Sequence, residues 1–200
     1  MKIKILTAGI AIIMVLSSAV PAVAAETNCD IDMSISRAEF MMTLYQALEE
    51  PETGEDNPFS DVPESEPFAQ AIKWAAQSGV VAGVGDGRFA PLLAFTREQA
   101  AALLLNYAQS VGAGPVGAWA IYLDYADVSD ISDWAFQGVM YAKILGIFDV
   151  MPGNLFDPQG NVTQQEASEW IAVLLERIET LLASRPVQPP RTDGDQATTG

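Results

Sequence analysis

An all-α fold assembled from helix-loop-helix repeats is predicted by three observations. Apolar residues recur at helical spacing in five segments, a capping motif opens three of them, and two long stretches repeat one another. Phe59-Ser60-Asp61-Val62 returns as Tyr125-Ala126-Asp127-Val128, and Phe89-Ala90-Pro91 returns as Phe156-Asp157-Pro158. Gly79 to Pro91 and Gly146 to Pro158 both span 12 positions, and Pro91 to Thr96 and Pro158 to Thr163 both span 5. Between the aromatic residue and the glycine the copies differ by one residue. The spacing predicts a domain at 26–184, made of a half repeat at 35–50, a repeat at 59–110 and a repeat at 125–183.

Residues 1–25 stand apart from that domain. Lys2 and Lys4 form a positive start, Ile5–Leu16 is an apolar run too short to span a bilayer, and Pro21-Ala22-Val23-Ala24-Ala25 offers small residues for cleavage. A Sec signal peptide, and hence export, is expected. Cys29 follows Glu26-Thr27-Asn28 rather than the small apolar residues of a lipoprotein site, so a free thiol near the mature N-terminus is expected. In the half repeat, helix Ser36–Glu49 carries the stripe Ala38, Met41, Met42, Tyr45 and Leu48. The first helix of the next repeat carries Phe68, Ala71, Ile72, Ala75 and Ala76 on one face, with Pro67 in its first turn and Gly79 at C′. Its counterpart starts near Ser132, carries Trp134, Val139 and Ala142, and stops at Gly146. The second helices of the two repeats are Thr96–Ser110 and Thr163–Ala183. Gly79–Val84 has a β-like composition but is too short to predict a sheet. Residues 185–200, rich in Pro and then in Asp, Gly and Thr, are expected to be a disordered tail with nothing folded after it.

Composition narrows the chemistry. The 200 residues hold 10 Lys+Arg against 26 Asp+Glu, no His and one Cys. Without histidine there is no Ser-His-Asp or Cys-His catalysis and no His-ligated metal. One cysteine excludes an internal disulfide and every multi-Cys metal pattern. Cleavage of the leader leaves eight basic residues against 26 acidic ones, a net charge of -18. That balance opposes binding to nucleic acid or, after signal cleavage, to an anionic membrane. Carboxylates for a glycosidase pair are plentiful, yet they fall at capping, turn and surface positions. Asp124, Asp127, Asp130 and Asp133 lie close together without the ligand spacing of an EF-hand. The expectation is a soluble, non-catalytic domain with no cofactor and no metal.

Three helices open alike, as Ile35-Ser36-Arg37-Ala38-Glu39, Phe95-Thr96-Arg97-Glu98-Gln99 and Val162-Thr163-Gln164-Gln165-Glu166. Ser36/Glu39, Thr96/Gln99 and Thr163/Glu166 read as capping boxes, each preceded by an apolar staple residue. Arg37 and Arg97 are the part that capping does not explain. A cation at N1 sits beside the positive end of the helix dipole and costs about 0.3–1 kcal/mol. Its presence in two copies favours recruitment of an anion, because helix N-termini already attract anions and Arg adds a bidentate fork.

The order Phe-x-Asp-Val, Ala-Ile-x-Trp-Ala, Gly-Val-Val-x-Gly-x-Gly-Asp-Gly-x-Phe-x-Pro and Thr-Arg-Glu-Gln in 59–110 resembles an S-layer homology (SLH) repeat. The repeat at 125–183 is similar but looser, and the half repeat matches only the terminal Ser36-Arg37-Ala38-Glu39 helix. The resemblance implies a pseudo-threefold helical bundle whose grooves bind secondary cell wall polymer, a peptidoglycan-linked and often pyruvylated glycan. Such a module holds an exported protein on the wall or S-layer without a covalent bond. Carried over residue by residue, the implied glycan-binding set is Arg37, Arg97, Asp61, Asp127, Gly83, Gly85 and Trp74. Each has a second reading from the residues alone: Trp74 lies close to an apolar stripe and suits the core, Asp61 and Asp127 suit turn ordering, and the Gly83–Gly87 segment suits a plain turn. One prong is expected to be incomplete, since 26–34 is too short to hold it. In the last repeat Gln164 stands where Arg is expected, Val150 at the Gly83 equivalent and Gly153 at the Asp86 equivalent. Weak or single-groove binding follows from these departures. The alternative is an extracellular interaction or scaffold protein, with a protein partner, whose repeats no longer bind glycan.

Overall fold

A computed structural model describes residues 34–117 and 119–184. Within them are five α-helices: α1 (Arg37–Ala47), α2 (Ala69–Gln77), α3 (Arg97–Ser110), α4 (Phe136–Leu145) and α5 (Gln164–Ala183). A short 3-10 turn covers Val128–Asp130. Among the described residues there is no β-strand, only isolated bridges, and Gly79–Val84 is irregular backbone. The expected signal segment, Cys29 and the tail at 185–200 lie outside the described residues.

The three helices with capping motifs are joined at their starts. Ile35 N–H donates to the Val162 carbonyl (2.8 Å), Val162 N–H to the Phe95 carbonyl (2.8 Å), and Phe95 N–H to the Ile35 carbonyl (3.0 Å). These bonds close a three-membered cycle of backbone. All three side chains are buried, so each staple residue both plugs the core and ties one helix start to the next. Phe40 and Phe95 stack within 4.5 Å in the same core, which continues through Met41, Leu44, Leu104, Ile171 and Leu174. A smaller cluster around Leu123, Tyr125, Ile131, Val139 and Phe156 packs under the last repeat. There α4 crosses α3 closely: a Cβ added to Gly138 would lie 2.6 Å from the Ala101 backbone, so glycine sets that approach.

Two boundaries differ from the sequence expectation. α2 starts after Phe68, leaving Pro67 before the cap, while Gly79 at φ +70° takes the expected C′ place. α4 starts at Phe136, one turn later than expected, and ends at Gly146 with φ +64°. The delay has a local cause. Glu98, buried at the start of α3, accepts from both the Ser132 N–H (2.9 Å) and its hydroxyl (3.0 Å), and also from Gln159 Nε2 (2.7 Å). That carboxylate pins 132–135 as a turn, which leaves Trp134 outside the helix and 58% exposed.

The capping boxes are unequal. Ser36 and Thr163 each receive the N3 N–H and give their own N–H to the N3 carboxylate, at 2.7 and 2.9 Å respectively. Thr96 N–H reaches Gln99 only at 3.4 Å, and its buried hydroxyl has no partner among the described residues. Ser36→Ala and Thr163→Ala should therefore each lower the unfolding free energy by about 1 kcal/mol. Thr96→Val should leave it within about 0.5 kcal/mol of wild type, and urea titration of the three variants reads the contrast directly.

Candidate functional site

The starts of α1 and α3 are each filled by a loop of the repeat that follows. At α1 the Arg37 and Ala38 N–H groups donate to the Leu93 and Pro91 carbonyls (2.9 and 3.0 Å). At α3 the Arg97 and Glu98 N–H groups donate to the Gly160 and Pro158 carbonyls (both 3.0 Å). These are the orphan donors of the first turn, and protein backbone satisfies them. The helix N-terminus is therefore not the anion site that the sequence suggested. What stays partly exposed at the start of α1 is the Arg37 side chain.

The two guanidinium groups hold the same pose. Arg37 Nε donates to the Phe89 carbonyl (3.1 Å) and Nη2 to the Ala82 carbonyl (3.5 Å), with the cation 4.6 Å from the Phe89 ring centre. Arg97 Nε donates to the Phe156 carbonyl (2.8 Å) and Nη2 to the Asp149 carbonyl (3.2 Å), with the cation 5.5 Å from the Phe156 ring centre. Phe89 and Phe156, and likewise Ala82 and Asp149, are equivalent positions of the two repeats. Each arginine thus clamps the loop of the next repeat by its carbonyls.

Their third contact separates them. Arg97 Nη1 pairs with Glu166 at 2.8 Å, and Phe148 and Trp170 close over the cation at 5.5 and 5.0 Å. Arg97 is 2% exposed. Burial lowers its pKa, an effect opposed by the charges of Glu166 and Asp157. Around Arg37 the matching residues are smaller or neutral: Val81, Leu103 and Gln99. Arg37 is only partly buried and forms no ion pair among the described residues. Burial lowers its pKa too, with the Asp61 charge pulling it back up. It opens on a groove of about 250 Å³ lined also by Ala82, Gly83, Gln99, Asn106 and Trp134. The equivalent groove beside Arg97, about 440 Å³, is lined by Asp157, Glu166 and Glu169 and is acidic.

The other expected site residues fall into three places. Gly83 lies in the Arg37 groove, where an added Cβ would meet the Arg88 carbonyl oxygen at 2.4 Å and the Phe59 ring at 2.9 Å. Gly85, at φ +108°, pairs with Arg88 at the base of the neighbouring turn, whose tip is Asp86 at φ +52° and Gly87 at φ +65°. Asp61 accepts from the Phe89 and Ala90 N–H groups (both 2.8 Å), and Asp127 accepts from Phe156 (2.9 Å) and Asp157 (2.7 Å). Both aspartates are loop clamps, holding the backbone that the arginines grip from the other side. Trp74 is elsewhere, 8% exposed between Tyr45 and Tyr107, and offers no face to a sugar. Trp134 does. Sequence reasoning placed it in a helix stripe, and only the Glu98–Ser132 bonds, invisible in the periodicity, put it beside Arg37. Asp124, the first of the acidic group, pairs with Lys143, so it and Asp127 are spent separately rather than gathered.

Two outcomes follow. Burial pushes the Asp61 carboxyl up, but the Phe89, Ala90 and its own backbone N–H groups, with the Arg88 charge, outweigh it and hold the group below the usual carboxylate range. A depressed folded-state pKa gives stability that is present above about pH 4 and is lost as pH falls through the lower folded value. The stability gap between wild type and Asp61→Asn should be full at pH 6 and vanish at strongly acid pH in chemical denaturation. Arg97→Ala should cost about 3 kcal/mol by removing a buried, paired cation, and Arg37→Ala about 1 kcal/mol, measured the same way.

Comparison with known proteins agrees with this repeat geometry. The sequence model of the S-layer homology domain matches residues 58–101 and 124–168. An amylopullulanase from Thermoanaerobacterium thermosulfurigenes is 32% identical over 156 residues, covering 76% of this chain and 8% of that protein. Exoglucanase XynX of Acetivibrio thermocellus is 31% identical over 159 residues, 78% of this chain and 14% of its own length. The surface-layer 125 kDa protein of Lysinibacillus sphaericus is 27% identical over 149 residues, 73% of this chain and 12% of its own. The chain thus spans a small part of the relatives it matches, and the likeness concerns that part alone. Two copies of the family's domain, in register with two loops gripped by equivalent arginine and aspartate clamps, make this chain an S-layer homology domain protein.

Proposed function

We propose that the chain is a non-catalytic wall-binding module, exported and held at the cell surface by one groove that takes an acidic glycan. In this reading the bundle is the family's pseudo-threefold arrangement with one prong incomplete, and the ligand is a secondary wall polymer bearing carboxylates such as pyruvyl ketals. The observation that carries it is the Arg37 groove: a partly exposed guanidinium with no carboxylate partner among the described residues, beside an exposed Trp134. A guanidinium gives a carboxylate a charge-assisted, directional contact, and an indole face suits the apolar face of a sugar ring. Net charge opposes an anionic ligand, but screening over about 8 Å at physiological salt leaves the local cation in control. Relatives named for polysaccharide hydrolysis and for a surface layer share this region, which supports a common attachment role rather than a common chemistry.

A second reading, a scaffold that meets another protein, draws on the state of the other sites. Arg97 is buried in an ion pair, and Gln164 turns to Thr43 of α1 at 3.1 Å. Cosedimentation with wall sacculi separates the readings. The domain should pellet with sacculi and Arg37→Ala should stay in the supernatant while keeping its fold. Equal pelleting of both, or pelleting of neither, would reject the Arg37 groove as the attachment site.

A further inference from the structure

The other end of the bundle carries a surface that neither the arginine grooves nor the capped helix starts use. α1, α3 and α5 begin at equivalent positions but run for 11, 14 and 20 residues. The last turns of α5 therefore continue past the ends of the other two, and a ledge of about 660 Å³ forms where the three meet. Its apolar floor is Leu48, Tyr107, Val111, Leu175, Ile178 and Leu182. Leu175, Ile178 and Leu182 stand at i, i+3 and i+7 and share one face of α5. Ile178 is buried, whereas Leu182 is 39% exposed, and the intervening Glu176, Arg177, Glu179 and Thr180 are exposed and polar. The overhang is thus amphipathic, with its apolar face turned to the ledge.

The rim of the ledge is negative. Glu49 and Glu179 line it, and no lining residue is basic. The C-terminal, electronegative ends of α1, α3 and α5 meet there, and none of these helices has a basic residue in its last turn. Such a surface fits an apolar segment with cations at its ends. A second copy of the ledge would instead set like charge against like. A fitting segment follows α5 and its cap Ser184 in the sequence: Arg185-Pro186-Val187-Gln188-Pro189-Pro190-Arg191. It holds two of the chain's 10 Lys+Arg, one at each end of an uncharged, mostly apolar stretch.

We propose that the ledge is a docking surface for residues 185–191 of the same chain, Val187 and the prolines meeting its apolar floor and the two arginines its glutamate rim. Seven residues reach about 20 Å, and the helix from Leu175 to Leu182 rises only about 10 Å, so the segment is long enough to turn back and span the ledge. Proline has a fixed φ and loses little freedom on docking. The tether also supplies an effective concentration of about millimolar, so modest contacts suffice. The ledge lies at the opposite end of α1 from Arg37, and its occupancy does not depend on the wall-binding reading.

Paramagnetic NMR on methyl-labelled chain 26–200 tests this. Cys29→Ser with Val187→Cys leaves one thiol, which carries a nitroxide. Leu48 and Val111 are the reporters, because they line the ledge yet are remote from the label in sequence. Their methyl signals should lose intensity, while those of Leu92 and Leu93, beside the start of α1, should keep theirs and report an intact fold. Adding Arg185→Glu and Arg191→Glu should restore the Leu48 and Val111 signals. Adding Asp193→Asn and Asp195→Asn, outside the docking segment, should not. Full intensity at Leu48 and Val111 in the labelled chain would overturn the proposal, and so would equal loss in the glutamate variant. A mixture of nitroxide-bearing chains with methyl-labelled chains lacking the nitroxide should show no loss. Loss of equal strength there would assign the ledge to a segment of a second copy and overturn docking within one chain.

Discussion

The start of each capped helix is where this protein is held together. Three backbone bonds among Ile35, Phe95 and Val162 close a cycle at the buried end of α1, α3 and α5. Around it, the first two N–H groups of α1 and of α3 donate to carbonyls in the next repeat's loop. A helix needs its first four donors satisfied, and here the requirement becomes the joint between repeats. Caps, staples, arginine clamps and aspartate clamps all serve that joint, so a short motif at the helix start governs both the fold and the surface beside it.

The clamp residues therefore have a structural duty before any binding duty. Arginine at N1 runs against the helix dipole, and the unfavourable placement is offset by two carbonyl bonds and an aromatic face. Where the surroundings are large, as with Phe148 and Trp170, the guanidinium disappears into the core and takes an internal carboxylate. Where they are small, as with Val81 and Leu103, one edge stays open to a groove. The same side chain is a buried packing element in one repeat and a groove-lining one in the other, and the neighbours make the choice.

Much of this was legible in the sequence, for physical reasons. Helix positions follow from the 3.6-residue spacing, and the caps from Ser/Thr with Glu/Gln three residues on. The loop equivalence follows from constant separations between Gly79, Pro91 and Thr96. The late start of α4 was not legible, because Glu98 reaches Ser132 across 34 residues and no local pattern reports that bond. Trp134 consequently looked like a stripe residue although it is exposed, whereas the core position that the apolar stripe suggests for Trp74 is the one it takes. The burial of Arg97 was hidden for a related reason: its fate depends on Phe148, Glu166 and Trp170, three residues remote in sequence that meet only in the folded chain.

The central claim is that one of two arginines in the same pose is chemically available. Side-chain NMR of nitrogen-15-labelled arginine reads that claim without altering a residue. On addition of a pyruvyl-ketal hexoside, the Arg37 guanidinium resonances should shift in a saturable manner while those of Arg97 stay fixed. Saturable shifts at Arg97, or no response at Arg37, would contradict it.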